Sequence, residues 1–322
     1  MEANKKVWID CDPGIDDSFA LLLAMKHLEV AGITTVGGNT GLEHTFRNAR
    51  YVTELAGRGD IPVYAGYDLP MFGKPERAEY VHGSSGLGTV IVPELKGSQQ
   101  KEHAVDALIN AFCCRTDTRL VALGPLTNVA QALLREPELR QRIPELVIMG
   151  GSVTHGNYNA CAEFNIAVDP EAAKIVFESG IPIRMVGLNL CRQNAMTGKE
   201  AEQLKALPGA VAAFAADLLA YSVGQDRQAQ LCDACTIAWL IDPAVITCAL
   251  PMHVAVETRG EFTRGMTVCD YREYIGTAPR EDVAREIGYP AETGEENALV
   301  AMEFDQGRFK ELLFQTIKSY EV

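Results

Sequence analysis

The chain has 322 residues, with 29 basic and 43 acidic side chains and a net charge of −14. That balance, with no basic run and no interleaving of aromatic and basic residues, excludes a polyanion-binding surface and reads as solubility. The composition is 47% apolar and 22% charged, ordinary for a globular protein with a sizeable core, and no apolar run approaches the roughly 18 residues that span a bilayer.

The first apolar run predicts a buried strand over Val7–Ile9, followed by a helix over Asp17–His27. A strand around Ala31–Val36, a helix over Leu42–Ala56 and a short strand near Pro62–Tyr64 come next. The segment from Leu69 to Lys101 is rich in glycine and proline and contains "VHGSSGLG"; a loop of that length reads as a lid or binding loop. "LVALGP" and "LVIMGG" are strands ending in glycine, separated by the helical "LTNVAQALLR". "DPEAAKIVFES" combines an Asp N-cap with Pro at the first helical position, and "IPIRMVGL" returns as a strand. Lys199–Tyr221 and "DACTIAWLIDP" read as helical, and the tail "NALVAMEFDQGRFKELLFQTIKSY" as a last strand and a closing helix.

Strands alternating with helices predict an α/β fold: an open, mostly parallel, Rossmann-like sheet with helices on both faces, in a single domain over residues 1–322. Ligands of such sheets bind at the carboxyl ends of the strands. "DCDPGIDD", "VGGNTG", "ALGPLTN" and "MGGSVTHGNYNACAEFN" all follow strands, so they are expected to converge on one pocket.

The opening "MEANKKVWID" is too short and polar for a secretory signal. Nine cysteines in an irregular scatter point to free thiols in a reducing cytoplasm. The C-x-x-C of "LCDAC", Cys232 to Cys235, lacks the early-strand context of a redox motif and the second pair of a zinc site.

"DCDPGIDD" sets four aspartates in eight positions. Asp10 and Asp12, two apart at a strand end, are expected to share a face, while Asp16 and Asp17 begin a helix, whose dipole favours negative charge. Capping and turn formation account for Asp16 and Asp10 but leave Asp12 and Asp17 close together and unneutralised. A hard divalent cation, calcium or magnesium, resolves the repulsion, and the absence of clustered His and Cys disfavours zinc.

D-x-D-P-G-x-D-D after a strand, followed in order by "VGGN", "ALGPLTN", "MGG", "AEFN" and "DP" before a helix, resembles the inosine-uridine preferring nucleoside hydrolases over nearly the whole chain. The resemblance implies cleavage of the N-glycosidic bond of ribonucleosides to ribose and free base, with a calcium-held water activated by Asp12. It further implies Asp12, Asp17, the Leu123 carbonyl and Asp233 as calcium ligands. Asp16 and Asn39 would bind the ribose, Asn39 also orienting Asp12. Asn157, Glu163 and Asn165 would grasp the remaining hydroxyls, and Met149 would pack beneath the ring. Asp233 sits at the ribose as well. Family members are commonly homodimers or homotetramers.

The chain departs from that pattern at Cys232, which stands where many members carry the histidine beside the leaving base. A thiol with a pKa of about 8.5 is a poorer proton donor than imidazole at neutral pH. The departing base is then protonated by water or by a loop residue, with His82, Tyr221 and Arg227 as candidates, or aromatic packing raises the base's own proton affinity. Two other functions stay open at this stage: a non-catalytic ribose- or nucleoside-binding protein, and a haloacid dehalogenase-type phosphatase, against which Pro13, Gly14 and the extra carboxylates argue.

Overall fold

The computed structural model describes residues 5–97, 99–113, 117–224, 228–272, 274–276 and 295–321. The strands are β1 (Lys6–Cys11), β2 (Glu29–Thr35), β3 (Val63–Ala65), β4 (Arg119–Ala122), β5 (Leu146–Met149) and β6 (Ile183–Val186). They are followed by β7 (Ile246–Val256), β8 (Thr267–Asp270) and β9 (Ala298–Phe304). All nine form one sheet in the order β3-β2-β1-β4-β5-β6-β9-β7-β8. Pairing is parallel from β3 across to β9 and antiparallel only around β7. The expected α/β architecture with a mostly parallel sheet is therefore what forms.

The helices are α1 (Ile15–His27), α2 (Leu42–Leu55), α3 (Glu79–His82), α4 (Ala104–Cys113), α5 (Thr127–Arg135) and α6 (Leu139–Arg142). Beyond them lie α7 (Phe164–Val168), α8 (Pro170–Phe177), α9 (Leu188–Cys191), α10 (Gly198–Lys205), α11 (Ala210–Val223), α12 (Cys232–Ile241) and α13 (Gln306–Lys318). One face of the sheet is covered by α1, α2 and α10 to α13, the other by α4, α5, α6 and α8. Helix α1 packs against α2, α12 and α13 as well as the sheet, so Leu21, Leu22 and Leu23 are all fully buried. Each such leucine contributes about 2 kcal/mol of burial. Among the described residues, no helix is long and apolar enough to cross a membrane.

Several boundaries differ from those read in the sequence, for local physical reasons. Helix α1 starts at Ile15 rather than Asp17, because the Asp17 carboxylate reaches back to accept the Gly14 N–H at 3.0 Å and closes the first turn. The helical stretch 199–221 is two helices, broken at Pro208 and Gly209, where Gly209 takes φ 96°. The long segment 69–101 contains one helical turn, α3. The hairpin of β7 and β8 went unread. Pro251 lies within β7, and it is tolerated there because β8 pairs with β7 only from His253 onward, leaving Pro251 a partner strand on one side alone.

Asn128, at the start of α5, ties three elements together. Its Nδ2 donates to Asp10 Oδ1 at 2.9 Å and to the Thr35 carbonyl at 3.0 Å, while its Oδ1 accepts the Tyr67 N–H at 3.0 Å. Asn128→Ala leaves a buried carboxylate oxygen and two backbone groups without these partners. Urea denaturation is expected to read a loss of about 3 kcal/mol; a loss under about 1 kcal/mol would show that the brace is dispensable.

Candidate active site

The strand order reverses its direction of growth between β1 and β4, the topological switch point at which open α/β sheets bind ligands. The chain leaves β1 into Asp12, β4 into Leu123 and β5 at Met149, so these residues meet at the same edge. A cavity of about 540 Å³ opens there, and its walls include Asp16, Asn39, His82, Leu123, Met149, Asn157, Glu163, Asn165, Cys232 and Asp233. Ten of the sequence-predicted site residues line it, drawn from six separate segments of the chain, and Asp12 and Asp17 join them from behind the wall through Asn39. Two glycines let Asp12 in: a Cβ at Gly38 or at Gly124 would collide with one or the other of its carboxylate oxygens.

Asp12 is fully buried. Its Oδ2 accepts the Asn39 N–H at 2.7 Å, its carbonyl accepts Asn39 Nδ2 at 3.1 Å, and its own N–H donates to Asp17 Oδ1 at 3.3 Å. Asn39 Nδ2 also donates to Asp17 Oδ2 at 3.0 Å, so one residue orients both carboxylates, Asp12 through its backbone N–H and Asp17 through its side chain. Asp233 enters from the first turn of α12. Carboxylate oxygens of Asp16, Asp17 and Asp233 lie within 4.8 Å of one another. Burial raises the pKa of Asp12 and of Asp233 well above the carboxylate range, and neighbouring aspartates add to it. Burial likewise lifts Asp17 to about 7.

These residues fit a hard divalent cation. Asp12 Oδ1 and Asp233 Oδ1 are buried without a hydrogen-bond partner, and the remaining donors are carboxylates and a carbonyl, the oxygen ligands such ions prefer. Asp10 has a different partner: its Oδ1 accepts from Asn128 Nδ2 at 2.9 Å, and burial raises its pKa to about 7. Asp12 follows the last residue of β1 and is held by Asn39, whereas Asp10 lies within the strand.

Across the cavity stand the polar groups expected at a sugar. Asn165 Nδ2 donates to the Leu123 carbonyl at 2.8 Å and to the Met149 carbonyl at 3.2 Å. A carbonyl has two lone pairs, so Leu123 keeps one for another partner. Glu163 caps α7, its Oε2 accepting the N–H groups of Gly151 at 3.0 Å and Ile166 at 3.3 Å, and burial raises its pKa to about 7. Asn157 Oδ1 accepts the Phe164 N–H at 2.8 Å. "AEFN" thus forms a capped turn that also presents Glu163 and Asn165 to the cavity.

The model of the inosine-uridine preferring nucleoside hydrolases matches residues 7–311. The chain belongs to this family. It is accordingly an N-glycosyl hydrolase, and the phosphatase and non-catalytic readings fall away. Similar proteins include the pyrimidine-specific ribonucleoside hydrolase RihA of Escherichia coli O81 (strain ED1a), 37% identical over 98% of both chains. A solved purine-preferring ribonucleoside hydrolase from Gardnerella vaginalis superposes with a TM-score of 0.86 at 31% identity, over 98% of this chain and 99% of the other. A plant nucleoside hydrolase superposes equally, at 0.86 and 32% identity, with the same coverage of each chain.

In this nucleoside hydrolase the candidates for the leaving base separate. His82 lines the cavity, and its Nδ1 accepts the Ile15 N–H at 3.1 Å. Burial lowers its pKa against an opposing pull from Asp16, so the ring is neutral near pH 7 with its proton on Nε2. Gly14 makes room for it, since a Cβ there would stand 2.6 Å from His82 Nδ1. Cys232 also lines the cavity. A hydrogen bond from Cys191 favours its thiolate, but burial and the carboxylates of Asp16 and Glu163 outweigh it and leave the thiol a weaker acid than usual. Tyr221 does not line the cavity; its ring packs on Gly88 and its hydroxyl lies against Gly83, the residue after His82. Arg227 lies outside the described residues. The Ile15 N–H that sets the His82 tautomer carried no sequence signal, because a backbone donor has none; Ser222, Gln228 and Gln230 also line the cavity without belonging to any motif.

Asp17 and Glu163 rise from 3.8 and 4.5 to about 7 on folding without an ion. Their contribution to stability is full below about pH 4 and disappears as pH rises through 7, because the folded state holds protons that the unfolded chain has released. In chelator, the thermal midpoint is expected to fall between pH 5 and 8 on account of this cluster. Added calcium should raise the midpoint more at pH 8 than at pH 5, since it competes with protons for the same oxygens. An equal calcium shift at both pH values would remove the cluster as the binding site.

Proposed function

We propose that this enzyme hydrolyses pyrimidine ribonucleosides to ribose and free base, with calcium held by Asp12, Asp17, the Leu123 carbonyl and Asp233, and with Asp16 within reach of the same ion. The observation that carries the reading is the opposition, in one cavity, of a buried carboxylate cluster and a set of fixed amides and carbonyls suited to a polyhydroxyl ligand. The pyrimidine class is supported by the name of the relatives at 37% and 38% identity over nearly the whole chain.

When bound, the ion supplies the positive charge that grips the ribose diol and lowers the pKa of the attacking water. Asp12 takes the water's proton on Oδ1, the oxygen not occupied by the Asn39 N–H. The bond from water oxygen to the anomeric carbon forms as the bond to the base nitrogen breaks, through an oxocarbenium-like state. Attack is direct, with no carboxylate acting as nucleophile, so the anomeric configuration inverts. The base leaves with the electron pair as an anion, stabilised by a hydrogen bond from the Nε2–H of neutral His82, and takes its proton from water. Met149 underlies the sugar, Asn165 holds the Leu123 carbonyl in place, and Asn157, Glu163 and Asp16 select the hydroxyls. The eight described cysteines are free thiols, which supports a reducing compartment such as the cytoplasm. A homodimer or homotetramer is the proposed assembly.

A reducing-sugar assay across the common ribonucleosides, with and without prior chelation, tests the reading. Ribose release should be lost with chelator and restored by calcium, and 2'-deoxyuridine should be turned over at least about 100-fold more slowly than uridine. Comparable turnover of the two would contradict the diol geometry.

Asp12→Asn is expected to lower kcat about 1,000-fold or more on every substrate. His82→Ala should lower turnover of uridine and inosine by about 10- to 100-fold while leaving an activated nitrophenyl riboside nearly unchanged, because that leaving group is a stable anion without a hydrogen bond from His82. Equal losses on both would remove His82 from the leaving-group role.

A further inference from the structure

Once the ion and the sugar have their partners and His82 and Cys232 are set aside, the neutral polar side chains on the described cavity wall are those of Tyr80, Ser222, Gln228 and Gln230. The two glutamines are positioned by a specific piece of backbone. Ala229 forms an isolated antiparallel bridge with Met196, with N–H to O distances of 2.9 and 3.1 Å in the two directions. The bridge holds residues 228–230 extended, and the Ala229 side chain is buried in the core. In extended backbone, residues two apart project to the same side. Gln228 and Gln230 therefore stand together, exposed, at the cavity, roughly 7 Å apart along the chain. Neither makes a hydrogen bond to another described residue. Two residues further on, Cys232 lines the same cavity at the start of α12.

We propose that the Gln228–Gln230 carboxamide pair reads the polar edge of the base and accepts uracil and cytosine alike; this rests on the ribonucleoside hydrolase reading above. The apolar part of the wall, Ala78, Val81, Phe164 and Leu188, separates bases only weakly, because apolar contact does not distinguish a carbonyl from an amino group. A carboxamide carries an acceptor and two donors and turns about its last torsion at little cost. It therefore donates to the O4 carbonyl of uracil in one orientation and accepts from the N4 amino group of cytosine in the other. A carboxylate in its place would accept only.

The test uses the full-length enzyme with Gln228→Leu/Gln230→Leu, and with Gln228→Glu and Gln230→Glu singly. kcat/KM is measured on uridine, cytidine and 4-nitrophenyl riboside, whose leaving group lacks a base edge. Both positions are exposed, so thermal midpoints should match the wild type within a degree or two. The double leucine variant is expected to lose about 10- to 100-fold on uridine and cytidine and to stay within twofold on the nitrophenyl riboside. At least one of the glutamate variants should raise the cytidine-to-uridine ratio about tenfold. Parallel losses on all three substrates, or no loss on any, would overturn the assignment. A wild-type enzyme that releases ribose from none of them would instead overturn the ribonucleoside reading, and the role of the pair with it.

Discussion

Negative charge withdrawn from water is the constraint around which this molecule is built. Asp12, Asp17 and Asp233 are all buried; Asp12 and Asp17 meet amide hydrogens, Asp233 Oδ1 has no hydrogen-bond partner, and among the described residues no lysine or arginine pairs with the three. A buried carboxylate without a counter-charge costs several kcal/mol, and the fold offsets part of that cost with two helix N-termini. Helix α1 brings Asp16 and Asp17 in its first turn, and α12 brings Asp233 in its own. The dipole at each helix start favours the charged form locally, although the raised pKa values show that it does not fully compensate. What remains is a strong preference for either protons or a divalent ion.

The same arrangement accounts for how precisely the cavity is held. Its side chains are fixed at one atom and left open at another. Asp12 is held through Oδ2 and bare at Oδ1; His82 is held through Nδ1, leaving Nε2–H; Asn165 is pinned by two carbonyls. Groups fixed before substrate arrives need little reorganisation as the anomeric carbon gains charge, which is where such sites derive most of their rate. Glycine at 14, 38 and 124 is part of the same device, since each position faces one of these atoms with no space for a side chain.

How much of this was legible in the sequence depended on whether the signal was local. The strand-then-aspartate pattern at Val7–Asp17, the Asp-Pro start of α8 and the glycine ends of β4 and β5 are written in adjacent residues, and the sheet class followed from their alternation. The β7–β8 hairpin left little signal in the sequence because Pro251 interrupts the apolar run of β7 and β8 is only four residues long. Tyr221 was a reasonable candidate by position, yet its ring serves to pack Gly88. Glu163 is both the N-cap of α7 and, with Asn165, part of the cavity wall, a double use that only the packing of α7 against β4 and β5 brings about.

Residue chemistry and short-range order were therefore determined by the sequence alone: which segments become strands and helices, that four aspartates crowd the end of the first strand, and that an oxygen-ligated cation suits them. Tertiary structure alone decided which of those aspartates face the cavity, turning Asp10 toward Asn128 and drawing Asp233 across more than 200 positions to Asp16 and Asp17. It alone set the tautomer of His82 and placed Gln228 beside Gln230. The physical reason is that these outcomes depend on backbone groups and on strand order, and neither leaves a mark on the identity of neighbouring residues.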